Sequence, residues 1–208
     1  TRQDYGHFSD QLLANKRELD AIIWVPYVPK AERAAFELQL PPERLHIVEQ
    51  ADASKPLHIS PEHPEYFPIL YVAPRALQSK LAGLDINARP SNHALRQLAR
   101  ETGQRQTSAP IVDLQSPTQP ELVAIYQPIY LNQVISPQTF RGYLVLFLRP
   151  QVLLSQHPAL RTHNRLVMRL TDKPTADRPL ATSGKAELPQ NSAYLYQHTI
   201  HMPGREWL

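Results

Sequence analysis

Proline is the feature that most limits how long a helix or an inner strand of this chain can be. The 208 residues include 21 prolines and only 6 glycines, and this share of proline is about twice the usual ~5%. Because proline has no backbone N–H and a fixed φ, it is confined to loops, first helical turns and sheet edges. The spacing therefore predicts short elements that are joined by rigid loops.

The hydrophobic pattern between the prolines mixes two periods. Phe8, Leu12, Leu19, Ile22 and Ile23 recur at helical spacing and predict one amphipathic helix from residue 1 to about 24. Further helices are expected over 31–39, 91–103 (with Leu95, Leu98 and Ala99 as its buried stripe) and 150–154. Strands or extended pieces are expected over 45–49, 69–73, 84–87, 111–115, 122–130, 143–149, 165–171 and 193–202. This order is α+β, without a regular βαβ alternation.

Composition excludes several classes of protein. The chain has no cysteine, which rules out a disulfide scaffold, a thiol nucleophile and thiolate metal sites. A net charge of +3, without a basic stripe, gives no support for nucleic-acid binding. The longest apolar run, Tyr143–Leu148, is far shorter than the roughly 20 residues of a membrane span. A start without Met and an end at Trp207-Leu208 suggest a piece of a longer protein.

No catalytic motif is visible in the sequence. Neither a G-x-S-x-G elbow nor a glycine-rich phosphate loop occurs. His198 and His201 fall in an expected strand, where residues three apart point to opposite faces and do not share a metal. His58 and His63 lie in a proline-rich loop, for which surface polarity is the simpler explanation. No catalytic residue, metal or cofactor is expected, and the pattern favours a binding or structural module.

A series of segments resembles the CHASE family of extracytoplasmic sensor domains. The segments, in order along the chain, are Ala-Ile-Ile-Trp at 21–24, Ala-Glu-Arg-Ala-Ala-Phe-Glu at 31–37, Phe-Pro-Ile-Leu-Tyr-Val-Ala-Pro at 67–74, Leu-Ala-Gly-Leu-Asp-Ile-Asn at 81–87, the helix at 94–103, Thr-Ser-Ala-Pro-Ile at 107–111, Ile-Tyr-Gln-Pro-Ile-Tyr at 125–130, Arg-Gly-Tyr-Leu-Val-Leu-Phe-Leu at 141–148 and Gly-Arg-Glu-Trp at 204–207. Their order and spacing make the resemblance specific over nearly the whole chain, although residues 151–202 match only loosely.

The resemblance implies a fold and a location. It implies a long N-terminal stalk helix with a linker helix (1–40), a membrane-distal PAS-like ligand-binding subdomain (41–135) and a membrane-proximal PAS-like subdomain (136–208). Such domains resemble the periplasmic, non-enzymatic sensing parts of inner-membrane histidine kinases and of cyclic-di-GMP cyclases or phosphodiesterases. They lie between two membrane helices, which this chain does not include, and they pair as homodimers through the stalk.

The resemblance also implies candidate ligand-binding residues. Asp85 matches the family's aspartate that hydrogen-bonds an adenine-type cytokinin, and an isolated carboxylate in an apolar segment does need donors. The alternative is that backbone N–H groups satisfy Asp85 while it braces the helix near Ser91. The other candidates are Thr107, Ser108 and Ser116 as polar pocket residues, and Tyr71 and Tyr126 as ring-stacking or core residues. Tyr126 replaces a smaller residue of the cytokinin-binding members, which argues against an adenine-type ligand.

The sequence thus predicts the periplasmic small-molecule-sensing domain of a bacterial receptor. Two alternatives remain open at this point. One is an empty spacer that serves dimerisation, and the other is a module that binds a periplasmic protein. An open pocket with converging polar groups favours sensing, whereas a filled cavity favours either alternative.

Overall fold

The computed structural model describes residues 2–42, 44–50, 55–88, 90–111, 122–158, 160, 166–173, 179–183 and 196–208. The helices are α1 (Arg2–Asn15), α2 (Arg33–Glu37), α3 (Gln78–Leu81), α4 (His93–Thr102) and α5 (Pro150–Ser155), with 3-10 turns at Lys30–Glu32, Arg75–Leu77, Ile86–Ala88, Pro90–Asn92 and Leu131–Gln133. The strands are β1 (Leu19–Pro26), β2 (Val28–Pro29), β3 (Val48–Glu49), β4 (His58–Ile59), β5 (Glu65–Tyr66), β6 (Tyr71–Ala73), β7 (Gln106–Thr107), β8 (Val123–Tyr130), β9 (Phe140–Leu148), β10 (Arg169–Thr171), β11 (Pro179–Thr182), β12 (Ile200–Met202) and β13 (Arg205–Trp207). The mixture of short helices and strands confirms the α+β class.

One five-stranded antiparallel sheet organises the molecule, in the order β6-β1-β9-β8-β7. Its two long inner pairs are β1 with β9 and β9 with β8. The first of these five strands along the sequence, β1, therefore lies beside the last one, β9. The sheet is complete only when residues 140–148 have paired with both β1 and β8. The remaining strands form two-stranded pairs: β2-β5, β3-β4, β10-β11 and β12-β13.

The expected stalk helix over residues 1–24 is wrong in its second half. Helix α1 ends at Asn15, and the segment from Leu19 to Pro26 is the inner strand β1. Ile22 and Ile23 point to opposite faces of this strand, and both are buried. The segment is apolar on both faces because both faces are covered, and a short run of this kind also fits helical spacing by chance. The described residues contain no long N-terminal stalk helix.

The main core lies on the face of the sheet that carries α4. Ile23, Tyr126 and Val145 from the sheet pack there with Phe67 and with Ala99 of the helix. The opposite face holds a second cluster around Phe36 and Tyr66 and a third around Val123 and Trp207. On β9, Tyr143 and Val145 are buried on the face of the main core, whereas Leu144, Leu146 and Leu148 on the opposite face are only partly buried. The continuous apolar run of β9 predicts burial on both faces, and this burial is more complete on the face of the main core than on the other.

Two tyrosines attach α4 to the sheet. The Tyr143 hydroxyl, on β9, donates a hydrogen bond to the Arg96 carbonyl at 2.8 Å, and the Tyr130 hydroxyl, on β8, donates one to the Arg100 carbonyl. Burial raises the pKa of Tyr143 above its ordinary value, so this hydroxyl keeps its proton and stays a donor. These bonds fix the position of α4 along the sheet.

Helix α4 ends where the sequence predicts, and its buried face matches the expected one in part: Ala99 is buried and Leu95 packs against the main core. Gly103 adopts the left-handed conformation, with φ at 69°, and its N–H caps the Ala99 carbonyl. The expectation that Leu98 is buried is wrong, since 48% of this residue is exposed. Arg96 is buried in its place, with only 3% exposed. The helix is rotated so that Arg96 and Ala99, three positions apart, face inward.

Two prolines stand at positions that the chemistry of proline allows. Pro150 stands in the first turn of α5, where a missing N–H costs nothing. Pro128 lies on β8 beyond the point where β7 stops pairing, because β7 reaches only Tyr126 and Ile125. Among the described strands, none pairs with β8 at Pro128 on the side opposite to β9.

The C-terminal residues cover the edge of the sheet at β7. The β12-β13 hairpin reaches β7, where the Pro203 carbonyl accepts a hydrogen bond from the Thr107 N–H at 2.9 Å. Trp207 is buried in the third cluster beside Val123 and Leu170. The five-stranded sheet thus takes strands from all three expected segments (1–40, 41–135 and 136–208), and that division stays a prediction.

Candidate ligand-binding site

Asp85 occupies a buried position between an extended segment and a 3-10 turn. Its N–H donates to the Val48 carbonyl at 2.8 Å. Its Oδ1 atom accepts hydrogen bonds from the N–H of Phe67 at 3.0 Å and from the N–H of Asn87 at 2.8 Å. The second bond is an Asx turn that shapes the Ile86–Ala88 turn. One carboxylate oxygen therefore serves the local fold, as the bracing alternative predicts.

The second oxygen of Asp85 has no such role. Only 1% of the residue is exposed, and Oδ2 has no hydrogen-bond partner within the described residues. Burial raises the pKa of the Asp85 carboxyl above its ordinary value, although the N–H groups of Asn87 and Phe67 favour the charged form. A buried acceptor without a donor is costly. A bound molecule with an N–H or O–H group would remove this cost.

Asp85 lines a cleft of about 520 Å³, which we call the Asp85 cleft; its wall includes Glu49, His58, His63, Asp85, Asn87 and His93. Glu49, on β3, lies between two histidines of the proline-rich loop. Its Oε1 atom is 3.1 Å from His58 Nε2, and its Oε2 atom is 3.3 Å from His63 Nε2. Within the described part of the chain, no group of three or more His, Asp or Glu side chains is placed to hold a metal ion.

A second cleft, of about 540 Å³, adjoins the first; its wall includes Glu65, Asn87, His93, Arg96, Arg100 and Tyr143. We call it the Arg96 cleft. Glu65, Asn87 and His93 border both clefts. Arg100 pairs with Glu65, with Nη1 at 3.0 Å from Oε2 and 3.1 Å from Oε1. Each cleft is within the 300–1,000 Å³ that small-molecule sites usually have.

The other sequence candidates lie elsewhere. Tyr126 packs edge-on against Tyr143, with ring centroids 6.2 Å apart, and it borders neither cleft. Tyr71 pairs with Trp24 in the sheet and packs with it against the cluster on the opposite face. Ser108 accepts the Ala124 N–H at 2.9 Å and donates to the Ala109 carbonyl, so its hydroxyl extends the ladder between β7 and β8. Ser116 lies outside the described residues.

Thr107 is buried on the face of the sheet away from Tyr126. It pairs with Ile125, whereas its neighbour Gln106 pairs with Tyr126, and side chains alternate along a strand. Its Oγ1 atom is buried without a hydrogen-bond partner in the described structure. The hydroxyl thus lies on the face of the sheet away from the main core, and Thr107 borders neither cleft.

Thr107→Val is expected to stabilise the protein. The change replaces a buried, unpaired hydroxyl with a methyl group of the same shape, which is worth about 1 kcal/mol. The melting temperature should then rise by roughly 2–4 °C for a chain of this size. Differential scanning calorimetry measures the change, and Ser108→Ala, which removes a hydroxyl that is bonded, is the matched control and should destabilise. A fall in melting temperature for Thr107→Val would show that Oγ1 has a partner.

Sequence reasoning identified Asp85 but missed Arg96 and Glu49. Arg96 is three residues before Ala99 on the inner face of α4, and only this spacing signals its burial. Glu49 joins His58 and His63, which are 9 and 14 positions away, through the pairing of β3 with β4. Neither contact has a local sequence signal, because both depend on tertiary packing.

The fold and the two clefts define an α+β domain with a recessed polar site on one side of an antiparallel sheet. The family model of the CHASE domain matches residues 1–182, and this chain belongs to the CHASE family. This match confirms the resemblance seen in the sequence. CHASE domains are extracytoplasmic sensor domains of receptors and are not catalytic. No curated protein matches the chain. In the described part of the chain, every helix falls short of the length and apolar character that a membrane crossing requires.

Proposed function

We propose that this chain is the small-molecule-sensing domain of a bacterial transmembrane receptor and that its ligand binds in the Asp85 cleft. The observation that carries the proposal is Asp85, a residue in the wall of a cleft whose buried Oδ2 atom has no hydrogen-bond partner among the described residues. The ligand would donate an N–H or O–H group to this atom. A hydrogen bond to a charged group is worth about 1.5–3 kcal/mol, so this single contact would contribute about 10- to 100-fold in affinity.

An adenine-type ligand meets this requirement, since a purine presents N–H donors to a carboxylate. Tyr126 borders neither cleft, so the objection that its phenol fills the ligand space has less weight in this arrangement. The rings that do border the Asp85 cleft are those of His58, His63 and His93. A planar ligand would lie against these side chains.

Signalling in this proposal is a shift between two conformations. Ligand in the Asp85 cleft favours one arrangement of a distal PAS-like unit, and a proximal PAS-like unit transmits it to flanking membrane helices. The output would be a histidine kinase or a cyclic-di-GMP cyclase or phosphodiesterase. Moving such an output from 1:99 to 99:1 requires about 5.5 kcal/mol of differential affinity. A homodimer through α1 remains a prediction, supported by Phe8, which is 62% exposed on that helix.

Asp85→Asn is expected to lower ligand affinity by about 10- to 100-fold while the fold is preserved. The amide keeps an oxygen for the N–H groups of Phe67 and Asn87, and it replaces the acceptor Oδ2 with a donor. Asp85→Ala would also remove the two backbone hydrogen bonds, so it is the poorer test. The measurement is a thermal-shift screen against nucleobases, cytokinins, amino acids and organic acids, followed by calorimetry on each hit.

Glu37→Gln is the matched control for this screen. Glu37 also accepts a backbone N–H, from Ile47 at 3.0 Å, but it lies outside both clefts. Its substitution should leave affinity unchanged. A hit that binds wild type and Asp85→Asn equally would contradict the assignment of Asp85.

The same two variants should respond to pH with opposite signs. The pKa of Asp85 is raised, so its contribution to stability is present below the ordinary pKa of aspartate and is lost as pH rises through the folded-state value. Burial acts to raise the pKa of Glu37, but hydrogen bonds from Ile47 and Arg33 hold it below its ordinary value, so its contribution is lost as pH falls. From acidic to neutral pH, Asp85→Asn should therefore gain stability relative to wild type, and Glu37→Gln should lose it.

A further inference from the structure

Arg96 is a cation buried in the wall of the Arg96 cleft. Only 3% of the residue is exposed, and among the described residues its one side-chain hydrogen bond goes from Nη2 to the neutral Asn87 Oδ1, at 3.2 Å. No carboxylate of the described chain forms an ion pair with it. A guanidinium has five N–H donors, and a buried charge is costly unless it is paired. The side chain therefore leaves most of its donors for another group.

The acidic side chains at the Arg96 cleft have partners of their own. Glu65 is held by Arg100, and Glu101 accepts a hydrogen bond from Gln97 at 2.9 Å. His93 adds a further basic group to the wall. The Arg96 guanidinium is therefore available to bind an anion that enters the Arg96 cleft.

Asn87 links this cation to the Asp85 carboxylate. Its backbone N–H bonds Asp85 Oδ1, and its side-chain oxygen accepts from Arg96. It borders both clefts, so the unpaired acceptor and the unpaired donors lie on either side of one residue. A single molecule that reaches past Asn87 would satisfy both.

We infer that Arg96 forms an anion subsite and that the ligand is a small organic acid which presents a carboxylate to Arg96 and an N–H donor to Asp85. The planar fork of a guanidinium matches a carboxylate with two parallel hydrogen bonds. The chemical class is therefore amphoteric, as in an amino acid or an N–H heterocycle that bears a carboxylate. The N–H half of this inference rests on the proposed function, and the carboxylate half rests on Arg96 alone.

Arg96→Met tests the subsite. Arg75→Met is the control for the loss of a positive charge, because Arg75 is exposed and lies outside both clefts. The probes are acetate and formate at high concentration against chloride at equal ionic strength, the amino acids, and the primary amide of each amino acid. We expect a carboxylate-dependent rise in the melting temperature of wild type and of Arg75→Met. The rise should be absent in Arg96→Met, and each amide should bind about tenfold more weakly than its acid.

A second readout does not depend on the identity of the ligand. Because methionine fills similar space without a charge, Arg96→Met without ligand should melt at or above the temperature of wild type. A clear fall in this temperature would show that the guanidinium is paired within the protein and would overturn the inference. The absence of any carboxylate-dependent rise in wild type would overturn it too.

The two proposals fail in different ways. If adenine or another neutral N–H compound shifts wild type and Arg96→Met equally, the Asp85 cleft stands and the anion subsite is wrong. If the response to an amino acid is lost in Arg96→Met but unchanged in Asp85→Asn, the subsite stands and the role of Asp85 is wrong. Phosphate is included as a further probe, and a response to phosphate that exceeds the response to every carboxylate would overturn the ligand class.

Discussion

Gly142→Ala is expected to destabilise the protein by about 3 kcal/mol, through strain at an unusual φ and overlap with the next strand. Gly142 has a φ of 134°, which side chains rarely adopt. A Cβ atom there would overlap the Val25 carbonyl oxygen and lie 2.8 Å from the Pro26 Cα. These are backbone atoms of the paired inner strand, so they cannot move aside as a side chain would. Denaturation in urea measures the loss.

Gly6→Ala is the matched control for this substitution. Gly6 lies in α1, and a Cβ atom there would meet nothing within 4 Å. Alanine has the higher helix propensity, so this variant should gain about 0.5–1 kcal/mol. A Gly142→Ala protein as stable as wild type would show that β1 and β9 do not meet at Pro26 and Gly142.

Breaking the ion pair between Asp172 and Arg205 is expected to cost about 3–5 kcal/mol, because one charge is left buried and alone. The Asp172 carboxylate is 0% exposed. Arg205 donates to it from Nε and, at 2.6 Å, from Nη2, in the two-pronged geometry that makes such pairs strong. Asp172→Leu alone should show this loss, and Asp172→Leu with Arg205→Met should recover most of it.

An exposed ion pair one residue along serves as the comparison. Lys173 and Glu206 are 2.6 Å apart, with side chains 42% and 44% exposed. Lys173→Met should change stability by no more than about 1 kcal/mol, since surface pairs contribute little. Equal losses at Asp172 and Lys173 would mean that the Asp172 carboxylate is accessible to water. Melting temperatures of the three variants and of wild type complete the comparison.

The difference between predicted and observed structure in the N-terminal segment has a clear physical origin. Phe8 and Leu12 do lie in a helix, but the run from Ala21 to Val25 is apolar on both faces of the strand. Periodicity alone does not separate a strand buried on both faces from a helix. The sequence pattern predicts a helix, but hydrogen-bonded pairing with β6 and β9 stabilises the strand.

The candidate site was predictable only in part. Asp85 stood out because a carboxylate among apolar residues needs a reason to be there, and the structure supplies one for Oδ1 but none for Oδ2. Arg96 gave no such signal, since an arginine on a helix is ordinarily solvated. Its burial follows from the rotation of α4 over the sheet, which neither propensity nor local pattern encodes.

The two tyrosine bonds to α4 have a mechanical consequence. The carbonyls at 96 and 100 are one helical turn apart, about 6 Å along the axis. A slide of α4 by any smaller step breaks both bonds at once, so the helix and strands β8 and β9 keep a common register. Arg96 is therefore anchored to a fixed frame.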